Sequence, residues 1–496
     1  MTIRSKSIFS FFLSKESNTT EYPFENSCAI GGYNLFTDAK TPLDYCQKDN
    51  RELIVFGYAV DVFSSQSNNL AEAILANTKN IDDVIEQEKK LGGKYIIFYA
   101  DEAGVYCIGD ATCSIPVFYT VAETEFICCS NPKWIVDKLA LKSDSYLQSI
   151  RDSGPLNQAM PFDVTPYKEI KQLIPNHSLD FSKQNSVRFI NSSAKQKELS
   201  PEEAAKITAP LIDNLAKLYV DNTDVLCPLT SGRDSRVVYA YLKDKCPDLR
   251  TYTIWQDKFA NDDQDWTVPL DLIKKGNTDN HKQHYKEEIS AEAKADMDKI
   301  LGVDGYPEDA FVLSVTVQKH YGKAAAIEGD IIGQVGKCSL HRDIPLALAT
   351  PRYFRCKLHN YSDGARKILK AWLDEIKSSG EKVNPFDLFS VENRLGVWAT
   401  QTHLIRNTMG MPFVNIFNSR SIIYVWTAVD RAERMKSRIH IELIKLKAPE
   451  LLEVPFEQEH SGIVNAAKSN KFVFYFASFA KYYIQKRKFH SDKGGF

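Results

Sequence analysis

The segment Leu229-Thr230-Ser231-Gly232-Arg233-Asp234-Ser235-Arg236 holds the residues of this chain best suited to chemistry. Small residues between a predicted strand and a predicted helix let backbone N–H groups close around an anion at the helix start. Unpaired donors and the helix dipole both favour phosphate there. Thr230, Ser231 and Ser235 add hydroxyl donors. Asp234 is the odd member, because its charge repels a phosphate unless a hard cation such as Mg2+ takes oxygen from both. The same residues would also make an ordinary turn with Asp234 as an N-cap.

A second acidic group follows a second predicted strand. The apolar run Ala324 to Ile327 reads as a buried strand, which puts Glu328 and Asp330 at its carboxyl end, beside the phosphate loop. A solvated acidic turn is the plainer reading of that segment alone, yet acids after two separate strands reinforce each other. Other nucleotide signatures are absent: Gly336-Lys337 is followed by Cys338 and has no Gly five residues before it, and no G-x-G-x-x-G occurs. The ten histidines form no ligand pair at helical spacing, and His281 and His284 lie in a polar stretch.

The elements that must position these residues follow two different rhythms. Up to about Phe189 the chain reads as short β-rich runs: Leu53 to Asp61, Lys94 to Tyr99, Gly104 to Ile108, Pro116 to Tyr119 and Glu125 to Cys129. Asn69 to Leu91 carries apolar residues at helical spacing. Asn191 to Ser200 is a polar linker, and Ser200-Pro201-Glu202-Glu203 is a capping box with Pro at the first helical position. Beyond it helix and strand alternate: a helix over Glu203 to Val220, a strand over Asp224 to Leu229, a helix over Arg236 to Lys243 and a strand over Leu249 to Trp255. That alternation predicts a parallel sheet with its ligand beyond the carboxyl ends of the strands. After Asn384 the pattern is helical, with Leu388, Val391, Leu395, Trp398, Thr402 and Ile405 on one face.

Composition narrows the class. A length of 496 residues suits two or three domains, and 43% hydrophobic with 25% charged residues is ordinary globular usage. A formal net charge of −2 lacks the basic field of a chain that binds nucleic acid through many phosphates. The ten cysteines include no C-x-x-C pair, and adjacent Cys128 and Cys129 point to opposite faces, a pattern of reduced thiols in the cytosol. The run Ile8 to Leu13 is short for a secretory signal, and no stretch approaches a membrane span of ~20 apolar residues, so a soluble, cytoplasmic protein is expected.

Thr230 to Ser235 resembles the Ser-Gly-Gly-x-Asp-Ser pyrophosphate loop of the asparagine synthetase family, one of the AMP-forming N-type ATP pyrophosphatases. Leu91-Gly92-Gly93 and Gly109 to Tyr119 are similar to segments of that family's N-terminal domain. Tyr167 to His177 is similar to its Ile-x-x-Leu-x-Pro-Gly-His turn, and Glu328 to Gln334 to its second signature. The resemblance implies an α/β protein in two parts. Residues 1–195 would form a degenerate, amidotransferase-like β-rich sandwich of the Ntn-hydrolase kind. Residues 196–496 would form a parallel-sheet adenylating domain with a helical C-terminal region. It implies ATP and Mg2+ as cofactors, with Asp234 and Asp330 holding the metal and Glu328 joining them as a catalytic acid. Thr230, Ser231, Gly232, Arg233 and Ser235 would bind the phosphates, and main-chain groups of Thr251 to Trp255, including Ile254, would read adenine. The implied reaction converts a small-molecule or peptide carboxylate to an acyl-adenylate, with release of pyrophosphate, for attack by an amine.

Departures from the family bear on the nitrogen source. Thr2 stands where glutamine-using members carry a catalytic cysteine, and the neighbouring Gly-Ile-x-Gly strand is missing. That pattern is similar to β-lactam synthetases, carbapenam synthetases and lasso-peptide cyclases, which use an amine of the substrate. Ser231 replaces the first loop glycine. Thr408 to Phe413 lacks the family's Glu and Arg, which leaves Arg394 and Arg406 as carboxylate binders or structural ion pairs. Lys468 and Lys471 are candidates for a pyrophosphate lysine. The tail from Lys468 to Phe496, basic and aromatic, reads as a docking helix or as a membrane- or partner-facing one. An ammonia-dependent asparagine synthetase and a catalytically inactive nucleotide-binding scaffold are the alternatives. A tRNA-modifying relative would call for basic surface or cysteines at the loop, and Cys227 lies inside the strand before it.

Overall fold

Alternation along the first strands decides how the N-terminal half folds. Phe11 and Leu13 of the strand Phe11–Ser14 point to one side and Phe12 to the other. The first pair joins Phe56, Ile96, Phe98 and Cys107 in a core between two six-stranded antiparallel sheets. Phe12 packs instead with Phe118, Cys129 and Ile135 under the helix Pro132–Leu139. On the outer face of the other sheet, Leu53, Val55, Ile97 and Tyr99 lie against the helices Leu70–Ala76 and Ile81–Glu88. The result is four layers in the order helix, sheet, sheet, helix. The structure, a computed structural model, describes residues 7–16, 24–121, 125–154, 160–189, 197–256, 263–302, 307–379, 383–456 and 470–493.

Two expectations change in detail. The single helix over Asn69 to Leu91 is two helices, because the Asn80 side chain accepts from Asp83 N and starts a new one. The expected strands Pro116 to Tyr119 and Glu125 to Cys129 shorten to Phe118–Thr120 and Cys128–Cys129. Cys128 and Cys129 do face opposite cores, and all ten cysteines are free thiols. The boundary expected at 195, and Thr2 and Lys468, lie outside the described residues.

The C-terminal half is built on a five-stranded parallel sheet. Across it run His281–His284, Arg250–Ile254, Val225–Pro228, Ala325–Glu328 and Phe413–Asn415. Val225, Cys227 and Ile327 face a core completed by Leu215, Val238 and Trp426, while Leu226 and Ala326 face one completed by Phe311, Ile405 and Met411. Burial on both faces explains the continuous apolar runs of these strands. The helix Pro201–Asn222 starts with the capping box read from sequence, Ser200 Oγ accepting from Glu203 N at 3.1 Å. The helical stretch after Asn384 is Pro385–Phe389, a π-helix over Ser390–Trp398, and Ala399–Thr408.

Buried polar groups join the halves. Arg420, at the start of the helix Arg420–Thr427, is almost fully buried. Its Nε donates to Glu88 Oε2 at 2.5 Å, Nη1 to Asn176 Oδ1 at 2.8 Å and Nη2 to Gly109 O at 3.1 Å. Gly93 N donates to Asn418 O, and Asn418 Nδ2 to Asp110 Oδ1. Removing one partner of a buried pair leaves the other charge without compensation. Arg420→Ala should therefore lower the unfolding free energy by about 3–5 kcal/mol in urea titration. A loss under about 1 kcal/mol would show that Arg420 does not hold the halves together.

Candidate active site

The parallel sheet reverses its winding beside Val225–Pro228. From that strand the chain moves outward to Arg250–Ile254 and His281–His284, then returns to the other side for Ala325–Glu328 and Phe413–Asn415. In open α/β sheets the crevice for a ligand opens beyond the strand ends at such a switch point. Here a cleft of about 490 Å³ opens there, within the range of small-molecule sites. Thr230, Gly232, Asp234, Ser235, Glu328 and Asp330 line it, with Ile254, Asp265, Arg406 and Phe413. A smaller cavity of about 140 Å³ lies between the halves near Phe9, Asp38 and Asn407.

The loop is held by its own hydroxyls. Thr253 Oγ1 donates to Leu229 O at 2.6 Å and ties the strand end to its neighbour. Ser235 Oγ accepts from Thr230 N at 3.1 Å, and Thr230 Oγ1 accepts from Gly232 N at 3.3 Å. Gly232 is the N-cap of the helix Arg233–Leu242, so Arg233, Asp234 and Ser235 form its first turn, three residues earlier than the sequence pattern suggests. Ser231 leaves the cleft: it is fully buried, and its N–H and Oγ donate to Asp265 Oδ1 at 3.1 and 2.5 Å. Arg233 leaves it too, its guanidinium 4.8 Å from the Phe456 ring. Arg236 anchors the turn from below by donating to the carbonyls of Leu451, Val454 and Pro455.

Asp234 is buried and paired. Oδ2 accepts from Lys337 Nζ, and Oδ1 lies 3.0 Å from His440 Nε2, in contact but poorly aligned for a hydrogen bond. Burial alone would raise its pKa; the His440 contact and the Lys337 charge outweigh that and hold it below the ordinary carboxylate value. Burial pushes the pKa of His440 down despite the nearby carboxylate, so its imidazole is neutral at pH 7. Gly333 makes the approach possible, since a Cβ there would lie 2.2 Å from Asp234 Oδ1.

Glu328 and Asp330 reach the same cleft in different states. Arg406 holds Glu328 in a two-pronged pair, Nη1 to Oε2 at 2.9 Å and Nη2 to Oε1 at 3.0 Å, with its guanidinium 3.7 Å from the Phe413 ring. Asp330 is exposed, and its Oδ1 accepts from Ile331 N at 2.6 Å. Ile331 has φ of 64°, a strained conformation for a β-branched residue. Behind Phe413, Lys94 of the N-terminal half donates to Asn407 Oδ1 at 2.8 Å and Phe413 O at 3.2 Å. Burial draws its amine down to about 7.

Of the nine residues singled out in the sequence, seven line this cleft and two, Ser231 and Arg233, turn away. Arg406 serves as the ion-pair partner of Glu328, and Arg394 stacks 3.5 Å over Trp398 and feels the charge of Asp330. Lys471 sits 3.6 Å from Asp343 and does not line the cleft. Sequence reasoning missed Lys337, His440 and Asp265. Lys337 follows Asp330 closely enough to be sought there; nothing near His440 marks it.

The acid set matters for any cation. Four carboxylates line the cleft, Asp234, Asp265, Glu328 and Asp330, against one guanidinium, Arg406, while Lys337 pairs with Asp234 from outside the lining. A polyphosphate meets net repulsion unless it arrives with a divalent cation. Exposed Asp330 fits such an ion, whereas Asp234 takes its counter-charge from Lys337. Among the described residues no group of three or more metal-ligating side chains is assembled.

No family profile and no curated protein matches the chain. Among solved structures it is similar to the glutamine phosphoribosylpyrophosphate (PRPP) amidotransferase from B. subtilis complexed with ADP and GMP. That match has 10% identity and a TM-score of 0.23 over 68% of this chain and 72% of that one. A second, described as the allosteric regulatory enzyme of purine biosynthesis, has 9% identity and a TM-score of 0.25 over 61% and 84%. Likenesses this low carry no argument about activity.

A carboxylate with a lowered folded pKa contributes stability that is complete above its unfolded value near pH 4 and is lost as pH falls through the folded one. Asp234→Asn should therefore cost about 1–3 kcal/mol at pH 7 in urea unfolding, between the screened-pair and buried-pair extremes. The same gap should persist at pH 5 and close only below about pH 4. A gap already closed at pH 5 would mean that Asp234 is not held ionised.

Proposed function

We propose that this chain is an ATP-dependent, AMP-forming amide ligase of the asparagine synthetase type. The observation that carries this reading is the meeting of the Thr230 to Ser235 loop with Glu328 and Asp330 at the switch point of a parallel sheet. The start of the helix Arg233–Leu242 and the Thr230 and Ser235 hydroxyls receive the phosphates. The main chain around Ile254 lies along one wall for the adenine. Mg2+ brought in with ATP would be held at Asp330 and would offset phosphate charge. A substrate carboxylate oxygen attacks the α-phosphorus and pyrophosphate leaves. An amine then attacks the acyl carbon, AMP leaves, and the nitrogen gives up a proton. The Arg406–Glu328 pair stiffens the floor and keeps the guanidinium from free carboxylates, so substrate selection falls to other groups.

On this reading the amine is the substrate's own rather than ammonia from glutamine, as in the members of that family that the chain resembles in lacking the Gly-Ile-x-Gly strand. A desolvated amine can be neutral and oriented, and orientation contributes on the order of ~7 kcal/mol at best.

The second reading is a nucleotide-binding homologue without catalysis. It is favoured by the internal pairings: Asp265 occupies donors of Ser231, and Lys337 occupies Asp234. ATP and Mg2+ incubated with a panel of carboxylic acids and amino acids distinguish the two. The ligase yields AMP and pyrophosphate in equal amounts, and exposed Asp330→Asn cuts the rate at least ~100-fold. ADP and phosphate as products would refute the adenylating reading, and binding of ATP with no turnover would select the second. Mass spectra of products made with and without ammonium test the nitrogen source. An amide formed only with ammonium, and preferentially from aspartate, would identify an ammonia-dependent asparagine synthetase.

A further inference from the structure

The helix Lys471–Lys493 is apolar on both of its long sides. One side docks: Phe474, Tyr475 and Phe479 pack beside Tyr353, Phe354 and Phe386, and Tyr482 is buried with its hydroxyl donating to Asn360 O at 3.1 Å. Among the described residues the opposite side is left largely open, with only Arg352 reaching Tyr483. Phe472, Val473, Phe476, Tyr483 and Ile484 are exposed, Phe476 by 67% and Ile484 by 68%. They are five of the fourteen large apolar side chains exposed among the described residues. At about 100° per residue they fall within roughly 120° of arc, which puts them in one stripe.

Charge says what covers this stripe. No acid occurs between Lys471 and Ser491, whereas Lys481, Lys486, Arg487 and Lys488 do. Exposed Lys481, Arg487 and Lys488 flank the stripe towards its C-terminal end, and Arg352 of the helix Pro351–Leu358 adds a guanidinium that donates to Tyr483 Oη at 2.6 Å. In a chain of net charge −2 this is a local basic field. A symmetric dimer through this face would set like charges against each other. A convex helix with an aromatic and aliphatic stripe and a basic flank fits the headgroup boundary of an anionic bilayer, where apolar side chains insert and Lys and Arg reach phosphates. No helix among the described residues is long and apolar enough to cross a membrane. We propose that the outer face of Lys471–Lys493 docks the protein, lying in plane, on membranes rich in anionic lipid.

The test is co-sedimentation of the full chain with vesicles of phosphatidylcholine alone and with about 30% phosphatidylglycerol. Binding should need the anionic lipid. Reversing Lys481, Arg487 and Lys488 to Glu should weaken it at least tenfold, given roughly fivefold per basic residue near such a surface. The double change Phe476→Glu and Ile484→Glu should weaken it as much while leaving the circular dichroism and thermal midpoint unchanged, because both side chains are exposed. Equal binding to both vesicle types, or parental binding by the double variant, would overturn the proposal. So would a dimer in sedimentation equilibrium that the double variant abolishes while the parent ignores vesicles.

Discussion

Asp234 is a carboxylate with almost no water, and the site is arranged around keeping it charged. A buried acid left to itself takes up a proton. Lys337 prevents this, and Lys337 is in place because the short helix Gly333–Lys337 begins directly after Asp330. That helix packs against Asp234 only because Gly333 has no side chain, and the chain turns into it through Ile331 in the left-handed region. His440 closes the other oxygen from the helix Arg438–Lys447, and Arg236 fastens the same turn to the carbonyls of 451, 454 and 455. Helices far along the chain are therefore part of the support of the Thr230 to Ser235 loop, and a loop taken without them would lose the partners of its acid.

The same economy of buried charge joins the halves. Arg420 and Glu88 are each almost fully enclosed, and Tyr95 Oη donates to the remaining Glu88 oxygen at 2.9 Å. Lys94 is enclosed with two carbonyl acceptors next to the cleft and, among the described residues, makes no direct ion pair, and burial outweighs the more distant charges of Asp110 and Glu328 in its titration. Through Lys94 and Phe413 the N-terminal half touches the wall that Arg406 stacks upon. The first half therefore adjoins the cleft wall by direct contact.

What the sequence made legible was what local periodicity and short-range chemistry determine. The β-branched and aromatic runs such as Leu53 to Asp61 and Lys94 to Tyr99 anticipate the strands of the first half, though not the strand Phe11–Ser14, and the switch to helix and strand alternation after Ser200 anticipates the parallel sheet. The capping box is visible because its partners are three residues apart. The helix after the Thr230 to Ser235 loop starts earlier than expected because Gly232 serves as its N-cap in place of Asp234, whose side chain is taken by Lys337. Lys337 meets Asp234 across 103 residues of sequence and Asp265 meets Ser231 across 34, and no periodic signal spans such distances. Ser231 and Arg233 had the right chemistry and spacing; their direction depended on Asp265 and Phe456, which only the packed structure brings together.

Charge in this protein is segregated rather than scarce. A net charge of −2 conceals a cleft with carboxylates in excess and a terminal helix with bases in excess. The two regions act on ligands in opposite ways. On the proposed reading, an excess of acid around the loop disfavours the approach of a bare polyanion and favours that of a cation-neutralised one. An excess of base on an apolar helix does the reverse, drawing anionic surfaces to a face that gains further by burying hydrocarbon. Within one near-neutral chain the separation lets each region keep its own field, because at physiological salt the screening length is about 8 Å, shorter than the dimensions of a domain.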